Sequence, residues 1–272
     1  MIDLNYLAPG AWERQYLGEI SQLLPNTKAV AVHWWGQRRR WIPRRLPLPN
    51  PKLRIPAEVD PETVLIIVSD ELYRIPKRTS ALAIFKQYLA NEDTKSIPFP
   101  LGVRSGFPNL PVQPIKDRSI DIGFIGQAYP HRLNFLSRLQ NHPNLSEFRI
   151  NFNCQGGVPI NEYAKLLNDT KISICLPGYL GPETFRYYES IKLGCVVVSA
   201  RMPANALYQP DPGFQVDDLE DIDRLAGVLE SILQRHSEHD MLQQRSLAAW
   251  EQRYSPEAVA NAIINAANQG EK

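Results

Sequence analysis

Short runs rich in Val and Ile, such as VLIIV at 64–68, DIGFI at 121–125, ISIC at 172–175 and CVVVS at 195–199, alternate along this chain with amphipathic stretches of helical period. That alternation is the pattern of an α/β protein whose strands run parallel. Strands are expected at Ala29–Trp34, Val64–Ser69, Ser96–Phe99, Asp121–Ile125, Arg149–Asn153, Ile172–Leu176 and Cys195–Ser199. Helices are expected at Trp12–Leu23, Ala81–Leu89, Arg132–Gln140, Ile160–Leu167, Glu183–Leu193, Leu219–Gln234, His239–Arg253 and Pro256–Asn268. Ser255 stands where the last helix needs an N-cap and Pro256 at its first helical position, where the missing N–H has no consequence.

The 272 residues, 43% hydrophobic and 22% charged, suffice for one large α/β core or two small ones. The segment Gly102–Asp117 carries Pro108, Pro111 and Pro114 and few helix or strand signals, and the β–α alternation restarts at Ser119. We therefore expect an N-terminal domain, 1–117, and a C-terminal domain, 118–272, whose final helix can pack back on the N-terminal half. The second half reads as a complete doubly wound domain. The first shows fewer strands and one long irregular insertion, Gly36–Asp60, with five prolines.

A formal net charge of +1 gives no global attraction to nucleic acid or membrane. Cys154, Cys175 and Cys195 lie in or beside apolar runs, without metal-ligand spacing, and read as reduced core thiols, which favours the cytoplasm. No run approaches the ~18–20 apolar residues of a membrane-spanning helix, and the N-terminus has no basic region followed by an apolar one.

The most informative stretch is Tyr163–Pro203, YAKLLNDTKISICLPGYLGPETFRYYESIKLGCVVVSARMP, which reads helix, strand, Gly/Pro loop, helix, strand. Pro177, Gly178, Gly181 and Pro182 form the loop, so that backbone N–H groups near Glu183 and Thr184 face a ligand. Unsatisfied donors at a helix start suit a diphosphate. Arg186 and Glu189, three residues apart, share a helix face, and a cation beside a carboxylate fits phosphate and ribose hydroxyls respectively.

The run ETFRYYESIKLGCVVVSARMP resembles the nucleotide-sugar segment of exostosin-like and related glycosyltransferases of the GT-B fold. DIGFIGQAYPHR at 121–132 is similar to the first strand and phosphate-facing loop of the same domain, and VSDE at 68–71 with PFPLG at 98–102 to the run that leads to the hinge. This resemblance implies two Rossmann-like domains with the N-terminal one reduced, a ligand cleft between them, and sugar transfer from a UDP- or GDP-sugar to a hydroxyl acceptor. It implies that Glu189 holds the ribose, that Arg186 meets the diphosphate or sugar, and that Gly126 and Arg132 lie across the phosphates, with Gly178, Glu183 and Thr184 in the same binding loop. One departure stands out. The position eight before Glu189, acidic in the wider group, is Gly181 here, and Glu183 is offset by two.

Asp70 and Glu71 follow VLIIVS at the carboxyl end of a strand, where open α/β sheets place ligands; either is a candidate general base, or else an N-cap and its solvated neighbour. His33, beside Trp34 and Trp35, is a second candidate base with indoles able to stack on sugar rings, or else part of a core cluster. From Ile20 to Ala57 there are eight basic residues and no acidic one. Arg38, Arg39 and Arg40 in this loop suit an anionic acceptor, a lipid-phosphate head group or a membrane face, or simply solvent. Without a base-stacking module, nucleic acid is not expected as a partner.

No Asp-x-Asp follows a strand, so neither metal nor cofactor is expected and leaving-group charge falls to Arg side chains and a helix start. The partners implied are a nucleotide sugar and a glycan, lipid-linked or small-molecule acceptor. The chain is expected in the cytoplasm, with peripheral membrane contact through the basic loop. A nucleotide-sugar epimerase and a non-catalytic sugar-nucleotide binder share these features. Replacing Arg38, Arg39 and Arg40 by Ser is expected to reduce acceptor use or liposome binding, measured across a salt titration, while leaving nucleotide affinity intact.

Overall fold

The computed structural model describes residues 1–7, 10–33, 59–69, 79–127, 129–154, 156–178, 181–217 and 221–270. The chain divides into two compact units. Unit 1 comprises Met1–Ser105, Pro203–Leu207 and Glu251–Lys272, and unit 2 comprises Gly106–Met202 and Tyr208–Trp250.

Unit 1 holds a parallel sheet in chain order: β1 (Ile2–Asp3), β2 (Ala29–His33), β3 (Val64–Val68), β4 (Ala83–Lys86) and β5 (Ile97–Pro98). All five residues of β3 are buried, as a central strand covered on both faces must be. Helix α1 (Arg14–Gln22) inserts Tyr16, Leu17 and Ile20 into this core. The Tyr16 hydroxyl donates to the Tyr254 carbonyl at 2.5 Å. Gly102, at φ +66°, is where a Cβ would lie 2.4 Å from the Tyr16 ring, so only glycine lets the backbone pass.

The helix expected at Ala81–Leu89 is instead β4. Its apolar residues are too closely spaced to distinguish a helix from a strand buried on both sides, and pairing with β3 at Val64↔Ala83 and Leu65↔Ile84 decides the matter. β1 was also not expected. With these two additions the first sheet has, among the described residues, as many strands as the second, so the expectation of fewer strands gives way.

Unit 2 contains β6 (Ile120–Ile125), β7 (Ile150–Asn153), β8 (Thr170–Cys175), β9 (Val196–Ala200) and β10 (Phe214–Val216), all parallel, in the order β10-β9-β8-β6-β7. The unit's first strand thus lies between its second and third, the doubly wound arrangement. The helices are α2 (Pro130–Gln140), α3 (Ile160–Asn168), α4 (Phe185–Lys192), α5 (Ile222–Gln234) and α6 (His239–Ala249). Ile122 and Phe124 of β6, Ile172 and Ile174 of β8, and Leu225 and Leu229 of α5 belong to one buried cluster. The helix expected at His239–Arg253 is α6 followed by a π-turn, Trp250–Tyr254. The final helix, α7 (Pro256–Gly270), belongs to unit 1 and starts at the expected cap, with the Ser255 hydroxyl accepting from Ala258 N–H at 3.1 Å.

At the amino edge of the second sheet Arg118 is 1% exposed. Its Nε and Nη2 donate to the Gln113 carbonyl at 3.1 and 2.8 Å, Nη2 also to Leu193 at 2.6 Å, and Nη1 to Thr170 at 2.7 Å and to Cys195 Sγ at 3.4 Å. One guanidinium thereby ties the segment before β6 to the first residue of β8 and the end of α4. Leaving a buried acceptor unpaired costs about 1–3 kcal/mol. Arg118→Met is therefore expected to destabilise the protein by roughly 3–5 kcal/mol after relaxation, read as a lower midpoint in urea unfolding.

Candidate functional site

In a doubly wound sheet, the carboxyl ends of the two strands where the order reverses splay apart and leave a crevice. Here those strands are β6 and β8, followed respectively by Gly126 and by the loop Leu176–Pro177–Gly178. Several of the residues expected in a binding site meet at this point.

Arg186, in the first turn of α4, reaches back across the sheet edge. Its Nε donates to the Ile125 carbonyl at 2.8 Å, and its guanidinium lies 4.1 Å from the centroid of the Phe124 ring. Gly126 makes room for it, because a Cβ there would stand 2.1 Å from Arg186 Nη2. Arg132, from α2, donates through Nη2 to the Pro177 carbonyl and lies 4.6 Å from the Tyr129 ring and 5.8 Å from Phe124. Burial and then the neighbouring Arg186 charge lower the Arg132 pKa. Among the described residues, neither arginine has a carboxylate within ion-pair distance.

Three buried atoms here have no hydrogen-bond partner: Arg132 Nε, Arg186 Nη1 and Thr184 Oγ1. Thr184 is the N-cap of α4, yet its hydroxyl makes no capping bond, and its Cγ2 would be 3.7 Å from a Cβ on Gly178. Two unneutralised guanidinium groups beside spare donors at a helix start form an electropositive crevice that suits an anion with several oxygens. Cys154, just past β7, feels the same field: burial raises its thiol pKa, and Arg186 and Arg132 oppose that rise.

The two glutamates have other partners. Glu189 is fully buried and accepts from the Tyr163 hydroxyl of α3 at 2.7 Å, whereas Arg186 turns to β6. Glu183 accepts from the Tyr208 hydroxyl, which is 2.5 Å from that of Tyr188. Burial, with the Glu183 charge, raises the Tyr208 pKa well above its usual value.

In unit 1, His33 ends β2 and is buried, with Nε2 3.8 Å from Glu13 Oε2. Sequence reasoning missed Glu13, which looks like an ordinary polar residue at a helix start. It also missed Phe124, the ring beneath both arginines, although an aromatic directly before Ile-Gly at a strand end was a legible cue. Asp70, Glu71, Arg38, Arg39 and Arg40, together with Trp34 and Trp35, lie outside the described residues. Among the described residues no three His, Cys, Asp or Glu side chains converge as metal ligands, and no helix is long and apolar enough to cross a membrane.

No family model and no curated protein matches this sequence. Among solved structures, the chain is similar to an α1,3-fucosyltransferase with GDP, at 10% identity and a TM-score of 0.50 over 99% of this chain and 93% of that one. Both units have that fold. The chain also aligns, at 10% identity and a TM-score of 0.45, with an α-glucosyltransferase in complex with UDP-glucose and DNA containing an abasic site, over 76% of this chain and 72% of that one. With its two parallel sheets, the chain has a GT-B-like fold of two Rossmann-like domains, as the likeness to the fucosyltransferase shows.

Gly126→Ala separates the site from the fold that carries it. The new methyl displaces the end of a flexible side chain, so the melting temperature is expected to change little, while Arg186 is pushed out of register. Binding of inorganic pyrophosphate, followed by isothermal titration, is expected to weaken by about tenfold, the equivalent of one charge-assisted contact.

Proposed function

We propose that this protein is a glycosyltransferase that moves a sugar from a nucleotide-diphosphate sugar to a hydroxyl acceptor. The observation that carries this reading is the trio of buried, unpartnered donors at the carboxyl edge of β6 and β8: Arg132 Nε, Arg186 Nη1 and Thr184 Oγ1. A diphosphate brings oxygens for all three and neutralises two cations that pair with no carboxylate among the described residues. The fucosyltransferase of like fold holds GDP, which supports a nucleoside diphosphate as the leaving group.

Cleavage of the bond between sugar and diphosphate leaves an electron pair, and hence negative charge, on a phosphate oxygen. A group that binds the developing charge better than the bound donor accelerates the step. This task falls to Arg186 in the proposal, a reading supported by its guanidinium's contacts with the Ile125 carbonyl and the Phe124 ring. Arg132, held by the Pro177 carbonyl, takes the other side of the diphosphate. Positive charge from two side chains makes the reaction independent of a divalent metal in this proposal. The ribose role implied for Glu189 by family resemblance is secondary, because its carboxylate is enclosed against Tyr163. Acceptor chemistry falls to unit 1, through His33 and through Asp70, Glu71 and the Arg38–Arg40 loop.

Screening UDP, GDP, CMP and their sugars by thermal shift identifies the donor without knowledge of the acceptor, since a ligand of the native state raises the melting temperature. With that donor, Arg186→Lys is expected to lower kcat by roughly 10²–10³-fold, with a smaller effect on donor KM, because a single ammonium cannot reproduce the planar fork. Arg132→Ala is expected to act in the same direction. Near-normal kcat in the lysine variant, or loss of wild-type activity in EDTA, would overturn the cationic mechanism.

A further inference from the structure

The chain has three cysteines, and one of them is unlike the others. Cys175 and Cys195 are fully buried in unit 2. Burial pushes the Cys175 thiol up to about 11, and the Cys195 thiol donates to the Leu167 carbonyl at 3.3 Å while its sulfur accepts from Arg118 at 3.4 Å. Cys154 is only half-buried and stands at the carboxyl edge of the sheet, one residue past β7. β7 pairs with β6, Asn153 opposite Ile125, and the Asn153 carbonyl accepts from Gly126 N–H at 3.0 Å. Cys154 therefore follows the strand end that borders Gly126, the residue against which Arg186 lies.

A cysteine in a core is ordinarily a small apolar side chain, and Cys154 does pack against the large buried cluster of unit 2. Its surroundings are not apolar on every side. The charges of Arg186 and Arg132 both act on its thiol, and the sulfur in turn acts on Arg132. Arg132 is 6% exposed, and its Nε is a buried donor without an acceptor, as is Arg186 Nη1. Independently of the thiol, these donors call for an anion. Past Cys154 the chain runs through Gly156 and Gly157, and a Cβ at either would meet no atom within 4 Å, so space is open on that side. A partly exposed thiol in a positive field is the setting in which cysteines react. Burial holds this thiol above its usual pKa against the pull of the two arginines, so thiolate is scarce at neutral pH but strongly nucleophilic once formed. What the two cations supply is capture of an anionic reagent beside the sulfur.

We propose that Cys154 is a modification site for small acidic disulfides, captured by Arg132 and Arg186, and that the adduct shuts the crevice to diphosphates. The second half rests on the reading of this crevice as the donor's diphosphate site. The Cys154 thiol first gives its proton to water. The thiolate then attacks one sulfur of the disulfide; a new S–S bond to Sγ forms, the old S–S bond breaks, and its electron pair leaves on the second sulfur as a thiolate. The small disulfide is itself the oxidant, and the half that departs is its reduced product. Acidic groups on the half that stays pair with the arginines a diphosphate would otherwise meet. Excess thiol reverses the exchange and reopens the crevice, which ties donor binding to the thiol–disulfide balance around the protein.

Two probes test the assignment: dithiobis(nitrobenzoate), a disulfide dianion, and uncharged dithiodipyridine, each followed at one pH by the absorbance of the thiol it releases. On the folded wild-type chain a single thiol is expected to react, located at Cys154 by mass spectrometry and lost in Cys154→Ser. The rate ratio of dianion to neutral probe is expected to exceed that of the urea-unfolded chain by about tenfold or more at low salt, to collapse toward it as salt is raised, and to fall several-fold in Arg186→Met. Should Arg186→Met fail to fold, the salt titration of the wild type carries the same test. Pyrophosphate is expected to slow the dianion, and the adduct to lose pyrophosphate binding in isothermal titration until dithiothreitol restores it. A probe ratio equal to that of the unfolded chain, or an adduct that binds pyrophosphate as the free thiol does, would overturn the proposal while leaving the donor site standing. An unmodified protein that binds no pyrophosphate would overturn the donor reading, and the proposal with it.

Discussion

A guanidinium has five N–H donors and no acceptor, so when it is buried its surroundings must supply oxygens or leave it wanting. Unit 2 shows both outcomes at opposite edges of one sheet. Below the strands, Arg118 spends its donors on the carbonyls of Gln113, Thr170 and Leu193 and on the Cys195 sulfur, joining the starts of strands to the end of α4. Above them, Arg132 and Arg186 are each anchored by one carbonyl and keep a buried nitrogen unpaired. Because α4 is held at its far end by Arg118 through Leu193, the near end, with Thr184 and Arg186, is fixed relative to β6. The saturated arginine and the two unsaturated ones thus stand at opposite edges of the same sheet.

The first sheet reaches a comparable result with different residues. Its strands run in simple chain order, without the reversal that opens a crevice in the second. Polarity enters instead through side chains that finish the strands: His33 after β2, Ser69 after β3, Gln87 after β4. Ser69 bonds both Gln87 and Glu13, and His33 Nε2 lies 3.8 Å from the Glu13 carboxylate, so polar contacts run along this edge.

Legibility from sequence followed the size of the local signal. The strand–loop–helix run around Pro177–Arg186 was readable because apolar runs, a Gly/Pro loop and a following amphipathic helix occur together within a short span. Arg118 gave no cue at all: it precedes a strand in a polar segment, IKDRS, and its role depends on carbonyls as distant in sequence as Leu193. β4 was misread since four residues, of which Phe85 and Lys86 are buried and Ala83 and Ile84 partly so, show neither the period of a helix nor that of a half-wet strand. Glu13 was overlooked because its burial is set by Ser69, 56 residues later. The spacing of Arg186 and Glu189 did put them on one helix, but their side chains part, one to β6 and the other to α3, a choice that depends on which neighbours each helix turn meets.

Unit 1 is assembled from three stretches of chain that the whole of unit 2 separates. Helix α1, near the start, packs against α7, at the end, and the Tyr16 hydroxyl finds its acceptor 238 residues away at Tyr254. As the chain leaves the ribosome, unit 2 therefore has its strands in hand while unit 1 still exposes the face of α1 that α7 will cover. Closing so long a loop is slow relative to local contacts. Unit 2 therefore closes its sheet through shorter stretches of chain than those that bring α7 onto α1 in unit 1.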